Sequence, residues 1–305
     1  MGKIQTVLGA IDPEELGLTL VHEHIMCDFI GASKVSKDRY DPDEVFRVML
    51  PYLLEIRQLD VRGFVDCTPM YLGRDVEVLA RLAKATGIHI LTNTGLYKEP
   101  FLPSYAWRCS VDRLARMWTA EIKEGIEGMP IRAGFIKIAV NPGPLIPMQQ
   151  KIVRTAARTC LATGATIACH TANGVAALEV LDVLDEEDVL ADNLIVVHSD
   201  AEQDQGYHFE TARRGAWVEY DGLKETTAEK TIGLIKNMVE KGYEDRLLLS
   251  QDAGWYNVGQ EKGGKIRGYA YLVKEFLPLM RKAGFNQELI HKVLVENPAR
   301  AFQLK

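Results

Sequence analysis

The stretch LTLVHEH, residues 18–24, sets the pattern that decides the fold. It is a nearly continuous apolar run that ends in two histidines one residue apart, His22 and His24. A run that is apolar along its whole length is typical of a parallel strand covered on both faces. Positions i and i+2 of a strand point to the same side. The stretch therefore predicts a buried strand whose end directs two imidazoles at one point, which is how proteins bind metal ions.

Seven similar runs follow, with helical patterns between them. The strand-like runs occupy residues 63–68, 89–95, 134–140, 165–171, 194–200, 216–222 and 246–254. Amphipathic helical patterns occupy residues 41–60, 73–87, 110–128, 148–164, 175–187, 209–215, 227–242, 269–284 and 286–302. This order predicts an α/β protein with one domain over residues 1–305, a (β/α)8 TIM barrel rather than a doubly wound sheet. The glycine-rich segment 255–268 is expected to form a mobile flap over the barrel.

Composition excludes several classes of function. The 305 residues carry a net charge of −6 without any basic block, which argues against a nucleic-acid partner. The sequence shows neither a signal pattern nor a run of about 18 apolar residues, so we expect a cytoplasmic protein without membrane contact. The five cysteines include no CxxC pair and are expected to be buried thiols in a reducing compartment.

Polar residues fall where the predicted strands end. In a TIM barrel the C-terminal strand ends build the active site, so residues distant in sequence meet there. The residues at these positions are nitrogen and carboxylate donors of the kind that divalent metals prefer: His22, His24, Lys137, His170, His198 and Asp252. The other three histidines, His89, His208 and His291, are expected to be structural or solvent-facing.

Two of these residues allow more than one interpretation. Lys137 lies inside the apolar run GFIKIAV, where a buried ammonium is costly unless it is neutralised or paired. It is predicted to form a salt bridge, to react with CO2 to give a carbamate that bridges two metals, or to form a Schiff base. The neighbouring histidines favour the carbamate. Asp252 either caps a turn or binds one metal and accepts a proton from the attacking water.

The order of short motifs along the chain resembles that of a known family. LGLTLVHEH, GRD, ATGI, TGLY, GFIKIA, CHT, VVHSD, SQD and ENPARAF occur in the order seen in the phosphotriesterase family of the amidohydrolase superfamily. The resemblance runs from about residue 7 to the end, and it is closest to the phosphotriesterase-like lactonases. It implies a distorted TIM barrel with its active site at the C-terminal ends of the strands.

The resemblance also implies a binuclear metal centre. His22, His24 and Asp252 would bind the more buried ion, and His170 and His198 the more exposed one. Lys137, carboxylated by CO2, and a hydroxide would bridge the pair. Zinc is the expected metal, with manganese, cobalt or iron as alternatives. The hydroxide would attack a substrate whose oxygen binds the exposed ion, and Asp252 would carry the proton away.

Three further residues gain expected roles near this centre. Tyr97 matches an aromatic residue that the lactonases place beside the exposed metal, so contact with substrate or hydroxide is expected, with packing as the alternative. Asp200 follows His198 in HSD and is expected to relay the proton from Asp252. Trp255, with the adjoining Tyr256, is expected to line an apolar acyl pocket.

The loop after the seventh predicted strand departs from the lactonases, which tend to carry an Asp-Arg pair there. This chain has Tyr220 and Asp221 in VEYDGLK, and Tyr220 is expected among the substrate contacts. Lys224 and Arg267 are expected either to bind an anionic group such as phosphate or to be solvated surface charges.

These features predict a metal-dependent lactonase for small-molecule substrates, with organophosphate triester hydrolysis as a side reaction. A phosphorylated sugar-lactone hydrolase and a dedicated phosphotriesterase are the alternatives within the family. A non-catalytic binding barrel and a Schiff-base aldolase that uses Lys137 are the alternatives outside it. A homodimer is expected from the resemblance alone.

Overall fold

A computed structural model describes residues 2–171 and 173–305, so two positions of the predicted domain lie outside the described residues. The chain forms twelve strands in the described part. They are β1 Ile4–Thr6, β2 Gly9–Ile11, β3 Thr19–Cys27, β4 Gly63–Asp66, β5 His89–Leu91, β6 Asn93–Thr94, β7 Phe135–Ala139, β8 Ile167–His170, β9 Leu194–Val197, β10 Trp217–Tyr220, β11 Leu247–Leu249 and β12 Ala253–Asn257.

Ten of these strands build a TIM barrel from two parallel arcs. One arc has the order β12-β3-β4-β5 and the other the order β11-β10-β9-β8-β7-β6. The arcs are continuous in the chain, because β5 leads into β6 across Thr92 and β11 leads into β12 across residues 250–252. A backbone hydrogen bond from Asp252 to the His22 carbonyl, 3.0 Å long, ties the second junction to β3. All C-terminal strand ends therefore meet at one end of the barrel, called the mouth below.

Helices follow the strands, as the amphipathic patterns predict. They are α1 Pro42–Gln58, α2 Val76–Thr86, α3 Ser104–Arg108, α4 Val111–Lys123, α5 Pro147–Thr163, α6 Gly174–Glu186, α7 Gly206–Arg213, α8 Ala228–Glu240, α9 Leu277–Lys282, α10 Gln287–His291 and α11 Asn297–Phe302. Asp41 and Asp75 cap α1 and α2 through their side chains. No helix among the described residues is long and apolar enough to cross a membrane.

Strand alternation divides the core into an inner and an outer part. Inward-facing residues such as Val21, Phe135 and Trp217 fill the barrel, and Phe302 of α11 packs against them. Residues of the opposite parity, such as Leu20 and Val218, pack against the helices. Polar side chains that point into the barrel therefore either lie in this apolar interior or line the mouth.

Several predicted elements differ in detail. The hairpin β1–β2, which the sequence patterns did not reveal, has strands of only three residues, and its Ile4 joins the inner core. The predicted flap begins as a strand, because β12 continues to Asn257 and pairs with β3 up to Cys27. The predicted C-terminal helices each contain a π-helical turn, at Leu272–Phe276 and Lys292–Glu296. Pro278 and Pro298 follow these turns and cannot donate to the helical ladder.

Candidate active site

The six predicted ligands lie around one cavity at the mouth. The cavity is lined by His22, His24, Phe29, Cys67, Leu72, Tyr97, Lys137, His170, His198, Asp252 and Trp255. The ligands come from β3, β7, β8, the residue after β9 and the junction of β11 with β12. Strand ends that are remote in sequence therefore place four imidazoles, an amine and a carboxylate together.

One part of the cavity contains the buried His22 and His24 together with the partly exposed Asp252. Asp252 Oδ1 lies 3.2 Å from His24 Nε2 and 3.8 Å from His22 Nε2, so both imidazoles direct the same nitrogen at the carboxylate. The donor atoms of the three residues lie within 4.8 Å of one another. Burial, together with the charge of Lys137, lowers the pKa of His22 to about 3. His22 is therefore neutral at pH 7, as a metal ligand must be.

The second nitrogens of these imidazoles are held by buried partners. His22 Nδ1 lies 2.6 Å from Glu219 Oε1, and His24 Nδ1 lies 2.8 Å from Thr68 Oγ1. Such contacts fix the ring orientation and the tautomer of a ligating histidine. Glu219 and Thr68 were not predicted from the sequence. The signal for Glu219 was present, because it is a charged residue inside an apolar strand, as Lys137 is.

Lys137 Nζ is buried without a partner. The side chain is 1% exposed, and its amine makes no hydrogen bond to any described residue. A salt bridge, the first of the three sequence-based interpretations, is therefore absent from the described part of the chain. A buried ammonium without a partner is costly, so this amine lacks the compensation that a charged group needs in the interior.

The outer part of the cavity contains His170 and His198, whose ring centroids lie 4.6 Å apart. His198 adopts a left-handed backbone conformation, with φ of 61°, and its Nδ1 lies 2.7 Å from Asp221 Oδ1. His170 Nδ1 lies 3.0 Å from the Tyr97 hydroxyl, and His170 Nε2 lies 3.1 Å from Lys98 Nζ. Burial and the charge of His198 lower the pKa of His170 to about 2, so this imidazole is also neutral.

Asp221 joins the two parts of the cavity. Its Oδ2 lies 3.1 Å from His22 Nδ1 while its Oδ1 contacts His198, and it is 1% exposed. Burial favours the neutral acid, but the charge of His198 and the hydrogen bonds from His198 and His22 outweigh it and lower the pKa of Asp221. Burial and the neighbouring Asp221 raise the pKa of Glu219. Asp221 is therefore ionised, and the neighbouring Glu219 is neutral.

His22, His198 and Asp221 form a second set of donors within 4.8 Å of one another. Direct contacts of 2.7 and 3.1 Å from Asp221 to the two Nδ1 atoms already account for this set. It is a hydrogen-bonded group that orients imidazoles, and the Nε2 atom of His22 is directed elsewhere, toward Asp252.

The backbone around Asp252 is held by a buried carboxyl group. Glu23 accepts hydrogen bonds from the amides of Gln251 and Ala253, at 3.3 and 2.7 Å, which flank Asp252. Asp252 itself has φ of 49°. Burial opposes ionisation of Asp252, but its contacts with His24 and His22 outweigh burial and lower its pKa. Asp252 is therefore a carboxylate in a fixed, strained position, which is common at functional sites.

Aromatic side chains form one wall of the cavity. The Trp255 ring stacks on His24 with centroids 3.9 Å apart, and Trp255 Nε1 donates to the Asp252 carbonyl at 2.8 Å. Phe29, which is 53% exposed, also stacks with Trp255, with ring centroids 5.6 Å apart. Tyr97 also lines the cavity, with its hydroxyl beside His170.

Tyr220 does not lie in the cavity, and this corrects its expected substrate contact. Its hydroxyl lies 2.9 Å from His208 Nδ1, and its ring is fully buried in the outer core. Strand alternation explains the placement, because Glu219 and Asp221 face the barrel interior and Tyr220 must then face the helices.

Lys224 and Arg267, the two residues that could bind an anionic group, do not line the cavity. The Arg267 guanidinium donates to the carbonyls of Gln251, at 2.8 Å, and of Leu223, so it links two loops. Lys224 is exposed on the loop after β10, in line with the surface alternative. Asp200 accepts hydrogen bonds from the amides of Asp221 and Gly222 and makes none to Asp252 among the described residues. Its predicted relay of a proton from Asp252 therefore lacks a direct contact.

Comparison with known proteins gives one consistent family. The sequence model of the phosphotriesterase family matches residues 2–302. The chain is 30% identical to an aryldialkylphosphatase of Saccharolobus solfataricus, over 96% of this chain and 97% of that protein. It is 31% identical to a phospho-furanose lactonase of Mycoplasmopsis synoviae, over 97% of this chain and 90% of that protein. The crystal structure of a lactonase from Listeria monocytogenes matches with a TM-score of 0.87 at 28% identity, covering 99% of both chains.

Proposed function

We propose that this chain, which belongs to the phosphotriesterase family of hydrolases, is a metal-dependent lactonase with phosphotriester hydrolysis as a side activity. The observation that carries the proposal is the buried Lys137 amine, which has no hydrogen-bond partner among the described residues and lies with four imidazoles and the ionised Asp252 around one cavity. Because the chain belongs to a family of hydrolases, we set aside the alternative that it is a non-catalytic binding barrel. The same membership argues against the alternative of a Schiff-base aldolase.

The residues fit the binuclear metal centre of this family. We propose that His22, His24 and Asp252 hold one ion, that His170 and His198 hold the other, and that a carboxylated Lys137 bridges them. The amine without a partner supports this assignment, as do Glu219 and Asp221, which hold the second nitrogens of His22 and His198. Two ions held by these residues would supply an activated water and would polarise the substrate oxygen. Zinc is the metal that an imidazole-rich set favours, with manganese, cobalt or iron as alternatives.

The protein side chains then bind the substrate and move a proton. Asp252, whose pKa is lowered chiefly by its hydrogen bond to His24, accepts the proton of the attacking water. The Tyr97 hydroxyl, adjacent to His170, donates a hydrogen bond to the substrate at the outer part of the cavity. Trp255 and Phe29 cover the reacting bond with apolar surface and exclude bulk water from it.

The wider predictions complete this proposal. The chain is proposed to be a single domain, to form a homodimer and to function in the cytoplasm on small molecules. A phosphorylated sugar-lactone hydrolase is the second candidate, favoured by the similarity to a phospho-furanose lactonase. A dedicated phosphotriesterase is the third, favoured by the similarity to an aryldialkylphosphatase.

A hydrolysis screen tests the proposal. Zinc-loaded protein would be assayed with acyl-homoserine lactones, aliphatic lactones, phosphorylated sugar lactones and the triester paraoxon. We expect lactones to be opened with a kcat/KM far above that of the triester, and His170→Ala to remove both activities. A triester activity above every lactone would replace the proposal with the third candidate.

A further inference from the structure

Lys98 is a cation at the mouth that the predicted chemistry does not use. It lies on the loop after β6, half-buried, with Nζ 3.1 Å from His170 Nε2 and 3.4 Å from the Val140 carbonyl. It forms no ion pair with any carboxylate of the described residues, in contrast to the buried Arg74, which pairs with Glu121. A half-buried ammonium without an anion is an unbalanced charge beside the cavity.

The contact between Lys98 and His170 is incompatible with metal binding by His170. A neutral imidazole has one lone pair and one N–H, and an ammonium has three donors and no acceptor. If His170 gives the lone pair of Nδ1 to an ion, Nε2 carries hydrogen and faces the ammonium donor to donor. If it gives the lone pair of Nε2, the ammonium stands 3.1 Å from that atom, where the ion must bind. In both cases Lys98 must leave His170 when the ion binds.

We propose that metal binding at His170 releases the Lys98 ammonium, which then binds an anionic substituent of the lactone substrate. This inference rests on the proposed lactonase function and narrows it to lactones that bear a phosphate or a carboxylate. Lys98 follows Tyr97, whose ring it approaches to 5.8 Å and whose hydroxyl borders the cavity, so its side chain reaches the outer edge of the site. It takes the role that Arg267 cannot fill, since the Arg267 guanidinium is bound to backbone carbonyls.

Matched substrates test the charge preference. The probes are ribono-1,4-lactone with and without a 5-phosphate, and γ-butyrolactone with a carboxylate or a methyl group on its γ carbon. The zinc-loaded enzyme should prefer the anionic member of at least one pair, and the pair that shows the preference identifies the anion. Lys98→Met should lower the anionic-to-neutral ratio of kcat/KM by about 10- to 100-fold, mainly through KM, because it removes one charge-assisted hydrogen bond.

Two control variants define the interpretation. Lys98→Arg keeps the charge and should restore most of the ratio. Lys34→Met removes an exposed lysine from the loop after β3 and should leave the ratio unchanged. A ratio that Lys98→Met does not change, or an equal loss for both members of each pair, would overturn the inference.

A second measurement separates this inference from the proposed function. Because Lys98 competes for His170, Lys98→Met should bind its second zinc equivalent several-fold more tightly in a chelator titration. The zinc-loaded variant should also bind methyl phosphate more weakly than the wild type by calorimetry. If no lactone is hydrolysed but both shifts occur, the lactonase proposal fails and the displacement of Lys98 stands. Unchanged zinc and methyl phosphate affinities would refute the role of Lys98 whatever the activity.

Discussion

Substitution of Asp221 by asparagine should weaken the metal centre without removing any proposed ligand. The two oxygens of Asp221 contact His198 Nδ1 at 2.7 Å and His22 Nδ1 at 3.1 Å. Asparagine keeps the shape, but it carries one acceptor oxygen and one donor NH2. The NH2 group must face one of the two Nδ1 atoms, so at least one imidazole loses the acceptor that fixes its tautomer.

The size of the effect follows from these contacts. A hydrogen bond to a charged group contributes about 1.5–3 kcal/mol, and each 1.4 kcal/mol corresponds to a tenfold change in an equilibrium constant. Loss of one such bond therefore predicts about 10- to 100-fold weaker zinc binding, the range found when partners of ligating histidines are removed in other proteins. The Oδ1 contact is shorter, so the ion held by His198 should be lost first if the amide nitrogen replaces that atom.

The assay is a competition for zinc with a chromophoric chelator, with thermal unfolding monitored by circular dichroism to establish that the variant is folded. Asp75→Asn is the matched control, because Asp75 is a buried carboxylate that caps α2 and contacts no histidine of the cavity. A folded Asp221→Asn variant that holds both zinc ions as tightly as the wild type would refute the role assigned to Asp221.

Three further results are expected. Burial raises the pKa of Glu23 to about 8 in the metal-free protein, so the native state holds a proton that the unfolded chain releases. The free energy of unfolding should therefore fall as pH rises from about 5 to 8, and Glu23 should contribute up to about 1.4 kcal/mol per pH unit to this fall. Glu23→Gln should remove the contribution of Glu23 to this pH dependence, as measured by urea titrations. Tyr220→Phe should cost about 1 kcal/mol of stability through His208 and leave lactone kcat/KM unchanged, and a loss of activity would contradict its outward placement. Arg267→Ala should lower the free energy of unfolding by about 1–3 kcal/mol in the same titrations, because it removes the hydrogen bonds to the carbonyls of Gln251 and Leu223. An unchanged urea midpoint would show that these hydrogen bonds do not stabilise the protein.

The sequence predicts the barrel because its signals are local. Eight apolar runs with helices between them need only strand and helix periodicity, and parallel strands with right-handed connections leave few other arrangements. Periodicity does not resolve three-residue strands, which is why the β1–β2 hairpin is absent from the predicted elements. It also does not reveal where a run is interrupted, as at Thr92 or between β11 and β12.

The proposed metal ligands can be predicted from the sequence more readily than the residues that contact them. His22, Lys137 and Asp252 stand out because a polar side chain within or at the end of an apolar run is costly to bury unless it binds something. The prediction for Tyr220 is wrong because strand alternation, which puts Glu219 inside the barrel, puts Tyr220 outside it. Lys98 is not recognisable from sequence at all, since its contact with His170 joins the loop after β6 to the end of β8, which only the fold brings together.

The most direct test is the zinc content of the protein and of Lys137→Met, after loading with and without bicarbonate. We predict two zinc ions per chain for the wild type in bicarbonate, and no more than one for the variant under either condition. If the methionine variant still retained two tightly bound ions, the amine at position 137 would not join the cations, and the account of this site would be wrong.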